Sequence, residues 1–256
     1  MKLSGKIACI TGASAGIGKA CAESFATAGC NLILLARRLD RVEELGEILK
    51  SKYGIKYFVG QLDVSNREDV ERFFKNLPKD FNEIDILVNN AGLGKGLGPL
   101  YENKIDDWEV MIDTNVKGLL YVSRAVIPGM VERDRGHIIN IGSIAGRGTY
   151  PGGSVYTATK HAVNAITNSL RKDLTNTEIR VSTVDPGLTE TEFSIVRFDG
   201  DKERAKKMYE GFQPLFAEDV AETILFVAAR PPHVTISDIV IYPTAQSDFH
   251  LVNRKK

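Results

Sequence analysis

The chain has 256 residues, 43% of them hydrophobic, which suits one α/β unit with a continuous core and excludes a disordered or fibrous protein. Its 33 basic residues balance 33 acidic ones, so no overall field draws it to nucleic acid or to an anionic membrane. Three cysteines (Cys9, Cys21, Cys30) have neither the count nor the spacing of a disulfide or zinc framework.

From the N-terminus, Lys6–Thr11 reads as a buried strand. Lys2 ahead of the apolar Ile7–Ile10 imitates a secretory leader, but that run is much shorter than an h-region. No apolar stretch approaches the roughly 18 residues that a membrane span needs. A cytoplasmic protein is expected, with the cysteines as small core residues. The strand runs into Thr11-Gly12-Ala13-Ser14-Ala15-Gly16-Ile17-Gly18, and a helix follows over Ile17–Ala28. Strand, glycine turn and helix in this order read as a dinucleotide site, with a pyrophosphate at the helix N-terminus. The spacing is G-x-x-x-G-x-G, with Gly12, Ser14, Gly16, Ile17 and Gly18 as contacts.

A second strand, Asn31–Ala36, ends in Arg37-Arg38, with no acid before Asp40. An NAD site places a carboxylate here for the ribose hydroxyl, whereas an NADP site uses arginine for the 2′-phosphate. NADP is therefore the expected cofactor, although either arginine alone is compatible with a plain surface role. The third strand, Lys56–Gln61, leads to Asp63-Val64 beside the adenine. The fourth, Ile84–Asn89, leads to Asn89-Asn90-Ala91-Gly92 along the ribose, with Asn90 as the contact. The near-continuous apolarity of these runs, alternating with helices such as Arg41–Lys52 and Arg67–Asn76, predicts a doubly wound parallel sheet of seven strands.

The second half carries the chemistry. A long helix is expected over Trp108–Met130, with Asn115 placed to hold a relay water. Strand His137–Ser143 brings Ser143 to the carboxyl edge of the sheet, and helix Tyr156–Thr175 places Tyr156 and Lys160 on one face at i and i+4. A phenol titrates near ~10, too high for proton transfer at neutral pH. The Lys160 ammonium and an oxidised nicotinamide are expected to lower it. Ser143 could orient the substrate oxygen, or merely cap a turn. Strands Arg180–Asp185 and Asp238–Tyr242 complete the sheet. Between them, 187–216 shows no strand pattern and a charged helical stretch around Lys202–Glu210, the mark of a substrate loop or lid. No composition shift divides residues 1–256, so a single domain is expected.

These residues resemble the short-chain dehydrogenase/reductase family over essentially the whole chain: Thr11–Gly18, Asp63, Asn89–Gly92, Asn115, Ser143, Tyr156, Lys160 and Pro186-Gly187. The resemblance implies a Rossmann-type fold and Tyr156 as acid/base, with Ser143 as substrate orienter. It also implies Lys160 as ribose binder, Asn115 as relay, and Pro186, Gly187 and Thr191 at the nicotinamide. Gly142–Arg147, Thr191–Ser194, Val196–Phe198 and Tyr242-Pro243-Thr244 are similar to the NADP-dependent 3-hydroxy acid (serine) dehydrogenases within it. A small 3-hydroxy acid (serine, allo-threonine, 3-hydroxyisobutyrate) is thus the expected substrate, with Arg147 and Arg197 as candidate carboxylate partners. A broad carbonyl reductase for ketones, diketones or sugars is the alternative, and a catalytically silent nucleotide sensor the remote one. The resemblance also implies a homotetramer or dimer packed through the helices Trp108–Met130 and Tyr156–Thr175 and the last strand. Ala162, Ala165 and Leu170 could serve that interface or face the sheet.

Overall fold

Every residue of β1 (Ile7–Thr11) is buried, as its unbroken apolar run requires, and the sheet extends outward from it. In the computed structural model, which describes residues 3–255, seven strands run parallel. Their order is β3 (Tyr57–Gln61), β2 (Asn31–Ala36), β1, β4 (Ile86–Asn89), β5 (Gly136–Ile141), β6 (Ile179–Pro186) and β9 (Asp238–Ile241). The order turns back beside β1, where β2 and β4 flank it, and this switch point is where doubly wound folds bind ligands. Each expected strand is present.

Alternation sorts the strand residues into two layers. Ala8, Ile10, Leu32 and Leu34 face a layer made by α1 (Gly16–Thr27), α2 (Leu39–Tyr53) and α9 (Ala217–Ala228), centred on the fully buried Phe25. Ile7, Cys9, Ile33 and Leu35 face the opposite layer. There α3 (Arg67–Lys75), α5 (Leu119–Glu132) and α6 (Ser154–Asp173) supply Val70, Val122, Val126, Met130 and Leu170. Burying a side chain of this size contributes about 1.5–3 kcal/mol. Cys9, Cys21 and Cys30 are free thiols inside these layers. Leu170 faces the sheet, whereas Ala165 is exposed.

Three expectations change. The single helix over Trp108–Met130 is two, α4 (Ile105–Ile112) and α5, joined by a π turn over Asp113–Gly118. Within that turn the Asn115 amide is drawn to the main chain of Leu93, and Gly118 packs so tightly on Val64 that a Cβ would come within 2.6 Å. Strand β5 stops at Ile141, so Ser143 lies beyond it, at the head of a short turn over Ile144–Gly146. The 187–216 segment does contain strand pairing. The two-residue β7 (Thr189–Glu190) and β8 (Leu215–Phe216) pair in parallel at its base, and α7 (Glu192–Arg197) and α8 (Lys202–Lys207) lie between.

Candidate active site

A cleft of about 720 Å³ opens at the carboxyl ends of the strands. Gly12, Ser14, Gly16 and Ile17 form one wall, and α1 starts there with an N-cap, Ala15, that offers no side-chain acceptor. The first amides of α1 are therefore open to an anion in the cleft. Gly12 and Gly16 have φ of +67° and +51°, which favour glycine. Gly18 serves packing instead: a Cβ there would lie 2.3 Å from the Gly12 carbonyl oxygen. Asn90 lines the cleft but spends its amide on the turn, donating to the carbonyls of Thr11 (2.9 Å) and Gly12 (3.2 Å).

At the far end, Arg37, Arg38, Asp63 and Val64 line the same cleft. The Asp63 carboxylate is held by the Ser65 amide and hydroxyl at 3.0 and 2.7 Å. Arg38 donates to the Ser14 hydroxyl through Nε and Nη2 (3.2 and 3.1 Å), and through Nη1 to Glu192 at 2.8 Å. Arg41 donates to the other Glu192 oxygen, also at 2.8 Å. The two guanidiniums hold the Glu192 carboxyl below its ordinary range, Arg41 contributing most.

Ser143, Tyr156 and Lys160 converge in the middle of the cleft. Ser143 accepts from the Ala145 amide at 3.1 Å, so it caps the turn and also faces the cleft. Lys160 is buried and donates to the Ile141 carbonyl at 2.9 Å, and its Nζ lies 6.0 Å from the centre of the Tyr156 ring. Burial pulls the ammonium down to about 8, opposed by the negative charge of Asp185. The phenol behaves otherwise than expected. Burial raises Tyr156 above its ordinary value, and the main opposing charge is Arg197, helped by the Ser143 hydroxyl. Asn115 stands behind these residues. Its Oδ1 accepts from the Leu93 amide, and its Nδ2 donates to the Leu93 carbonyl (both 2.8 Å) and to Thr159 Oγ1 (3.1 Å). These bonds fix the Asn115 side chain between the Leu93 main chain and Thr159.

Pro186 and Gly187 close the cleft floor, and Thr191 covers the glycine turn, its Cβ only 3.2 Å from where a Gly16 Cβ would sit. Thr191 Oγ1 caps α7 by accepting from the Phe193 amide at 3.2 Å. From α7, Arg197 enters the cleft wall nine-tenths buried. Its guanidinium carbon lies 4.7 Å from the centre of the Tyr156 ring and 4.9 Å from that of Phe193. Nη2 donates to the Tyr150 hydroxyl at 3.1 Å, while Nε has no acceptor among the described residues. Arg147 does not join this group. It pairs with Asp185 at 2.7 Å and Asp238 at 2.6 Å, away from the cleft lining, because the fully buried Asp185 demands a counter-charge. The expectation that Arg147 meets substrate is corrected accordingly.

Residues 6–201 match the family model described as short chain dehydrogenase. The chain belongs to the short chain dehydrogenase family. The NADP-dependent 3-hydroxy acid dehydrogenase of Schizosaccharomyces pombe is 46% identical over 256 residues, covering 100% of this chain and 99% of that relative. A second relative, the sulfoacetaldehyde reductase 2 of Chromohalobacter salexigens, is 43% identical over 94% of this chain and 95% of its own length. Among solved structures, the closed form of serine dehydrogenase complexed with NADP+ superposes with a TM-score of 0.90 at 47% identity, covering 94% of this chain and 96% of that one.

Several residues of this short-chain dehydrogenase escape a reading along the chain. Phe193 packs against Tyr156 with ring centres 5.5 Å apart and planes tilted by 60°, Tyr150 holds Arg197, and Glu192 engages the two arginines. Gly94 leaves room for the Arg197 guanidinium, since a Cβ there would come within 2.8 Å of it. Asp185 did leave a trace: one charge near the end of the otherwise uncharged Val181–Pro186 run signals a partner elsewhere.

Proposed function

We propose that the protein transfers a hydride between NADP(H) and a short 3-hydroxy acid or its oxo counterpart. The observation that carries the reading is Arg197, a nine-tenths-buried cation in the cleft wall with an unspent Nε–H beside Tyr156. A buried charge of this kind calls for an anion, and a guanidinium recognises a carboxylate with two parallel donors. The two curated relatives are named for anionic substrates, a hydroxy acid and a sulfonated aldehyde, which favours this reading over a neutral ketone or sugar.

The cleft suits the dinucleotide. The uncapped start of α1 would receive the pyrophosphate, Arg37 and Arg38 the 2′-phosphate, Asp63 and Val64 the adenine, and Asn90, Tyr156, Lys160, Pro186, Gly187 and Thr191 the nicotinamide half. When bound, NADP(H) supplies the hydride donor or acceptor. The protein's part is proton transfer and positioning. Tyr156 exchanges a proton with the substrate oxygen, Ser143 orients that oxygen, and Lys160 holds its place through the Ile141 carbonyl. The 187–216 segment acts as a lid over the cleft. The Asn115 side chain keeps the Leu93 main chain and Thr159 in register beside Tyr156.

The enzyme is read as a cytosolic homotetramer or dimer, with exposed Ile112 at the end of α4 and Leu120 on α5 available to an interface. Light scattering checks the assembly. For the activity, NADP reduction is measured with serine, allo-threonine and 3-hydroxyisobutyrate beside alcohols of equal size without a carboxylate. Turnover confined to the neutral alcohols defeats the assignment.

A further inference from the structure

We propose that Arg197 links substrate recognition to the acidity of Tyr156: a carboxylate paired with the guanidinium cancels the positive charge facing the phenol and keeps Tyr156 in its protonated form. The inference rests on the acid-substrate reading above and adds to it a second role for the same side chain.

Three features support it. The guanidinium lies over the Tyr156 ring at 4.7 Å from its centre, closer than Lys160 Nζ at 6.0 Å, so the lid arginine is the nearer of the two cations. It is nine-tenths buried, where a charge is poorly screened by water. Its Nε–H has no acceptor among the described residues, whereas Nη2 is occupied by the Tyr150 hydroxyl. The guanidinium lines the cleft, so an incoming carboxylate would meet the very group that faces the phenol. Packing holds this geometry in place. The Phe193 ring, itself against Tyr156, lies 4.9 Å from the guanidinium carbon, the Arg197 carbonyl accepts from the Gly96 amide at 3.0 Å, and Gly94 admits the head group.

The groups facing Tyr156 are few. Ser143 and Tyr150 approach from the loops around the end of β5, Lys160 from α6 itself with Asp185 behind it, and Arg197 with the apolar Phe193 from α7. Burial pushes the phenol up, and the Arg197 charge offsets part of that rise. Neutralising Arg197 then restores the rise. An oxo acid would thus meet Tyr156 as a phenol ready to donate, while a neutral carbonyl would meet one that ionises at lower pH. Linkage requires the converse, that ionised Tyr156 weakens carboxylate binding.

The test needs no turnover. Phenolate absorbance is titrated in the wild type, with the Tyr156→Phe trace subtracted to isolate this tyrosine. Titrations are repeated with saturating isobutyrate and with its neutral isostere isobutyramide. Isobutyrate is expected to raise the Tyr156 midpoint by on the order of one pH unit, and isobutyramide to leave it in place. Arg197→Met is expected to begin at the higher midpoint and ignore both additives, and Arg197→Lys to fall between. Calorimetric binding of isobutyrate separates the two ideas. If isobutyrate binds the wild type but not Arg197→Met and the midpoint stays fixed, the link is overturned while the acid-substrate reading survives. If it binds both equally, that reading fails and the link with it. Should Arg197→Met not fold, the shift produced by isobutyrate in the wild type decides the matter.

Discussion

Glu192, the first residue of α7, accepts a 2.8 Å hydrogen bond from Arg38, which lies 154 residues earlier in the chain. The contact ties the 187–216 segment to the arginine expected to hold the 2′-phosphate. Both side chains remain 42% exposed, so the pair is worth only about 0.2–1 kcal/mol. Two anions cannot share one guanidinium equally. Glu192→Gln is therefore expected to tighten NADP binding by about 1.5- to 5-fold. Arg38→Leu should weaken it about 10- to 100-fold, with little change for NAD. Calorimetry with both nicotinamides measures these ratios. Weaker NADP binding by Glu192→Gln would mean that the carboxylate organises the arginines and does not compete for them.

Among the described residues, Tyr156 is the only phenol that lies both beside Lys160 and under Arg197. Tyr156→Phe should lower kcat by about 10²- to 10⁴-fold, the usual contribution of a positioned acid or base. NADP affinity should change little, because the ring remains. Unchanged turnover in this variant would remove Tyr156 from the proton-transfer role, and wild-type protein that binds NADP without turning over any candidate would favour the silent sensor.

Lys160 is costly to the fold. Burial lowers its pKa from 10.5 to about 8, so between those values the unfolded chain holds more protons than the folded one. Stability should then rise as pH climbs from about 8 toward 10.5. Below that window the full penalty applies. Lys160→Met removes the charge but leaves the Ile141 carbonyl unpaired, for a net gain of about 1–2 kcal/mol near neutral pH. Thermal melts across pH check both points. A Met variant that melts lower, with the alkaline rise intact, contradicts the account.

Gly94→Ala tests the seat of Arg197. Its Cβ would come within 2.8–2.9 Å of both the guanidinium and the Phe193 ring. Neither neighbour can withdraw freely, since each packs on Tyr156. KM for a hydroxy acid should rise about tenfold or more, with a smaller change for a neutral alcohol. Equal effects on both substrates would point to general damage of the 187–216 segment.

Local order set much of this molecule. Seven apolar strand runs, the G-x-x-x-G-x-G turn from Gly12 to Gly18 and the i, i+4 pair of Tyr156 and Lys160 are all short-range patterns. Backbone sterics and side-chain periodicity act over such distances, so the parallel sheet and the contents of its switch-point cleft could be read in one dimension. The fate of the charges could not. Arg147 and Arg197 look alike along the chain, yet one is drawn to Asp185 and Asp238, 38 and 91 residues away, and the other to the Tyr156 ring. The π turn at Asn115 likewise depends on Leu93, and the phenol's main opposing cation comes from α7 and not from its own helix. Electrostatic partners and the burial that strengthens them are properties of three-dimensional packing, and only the folded structure decided them.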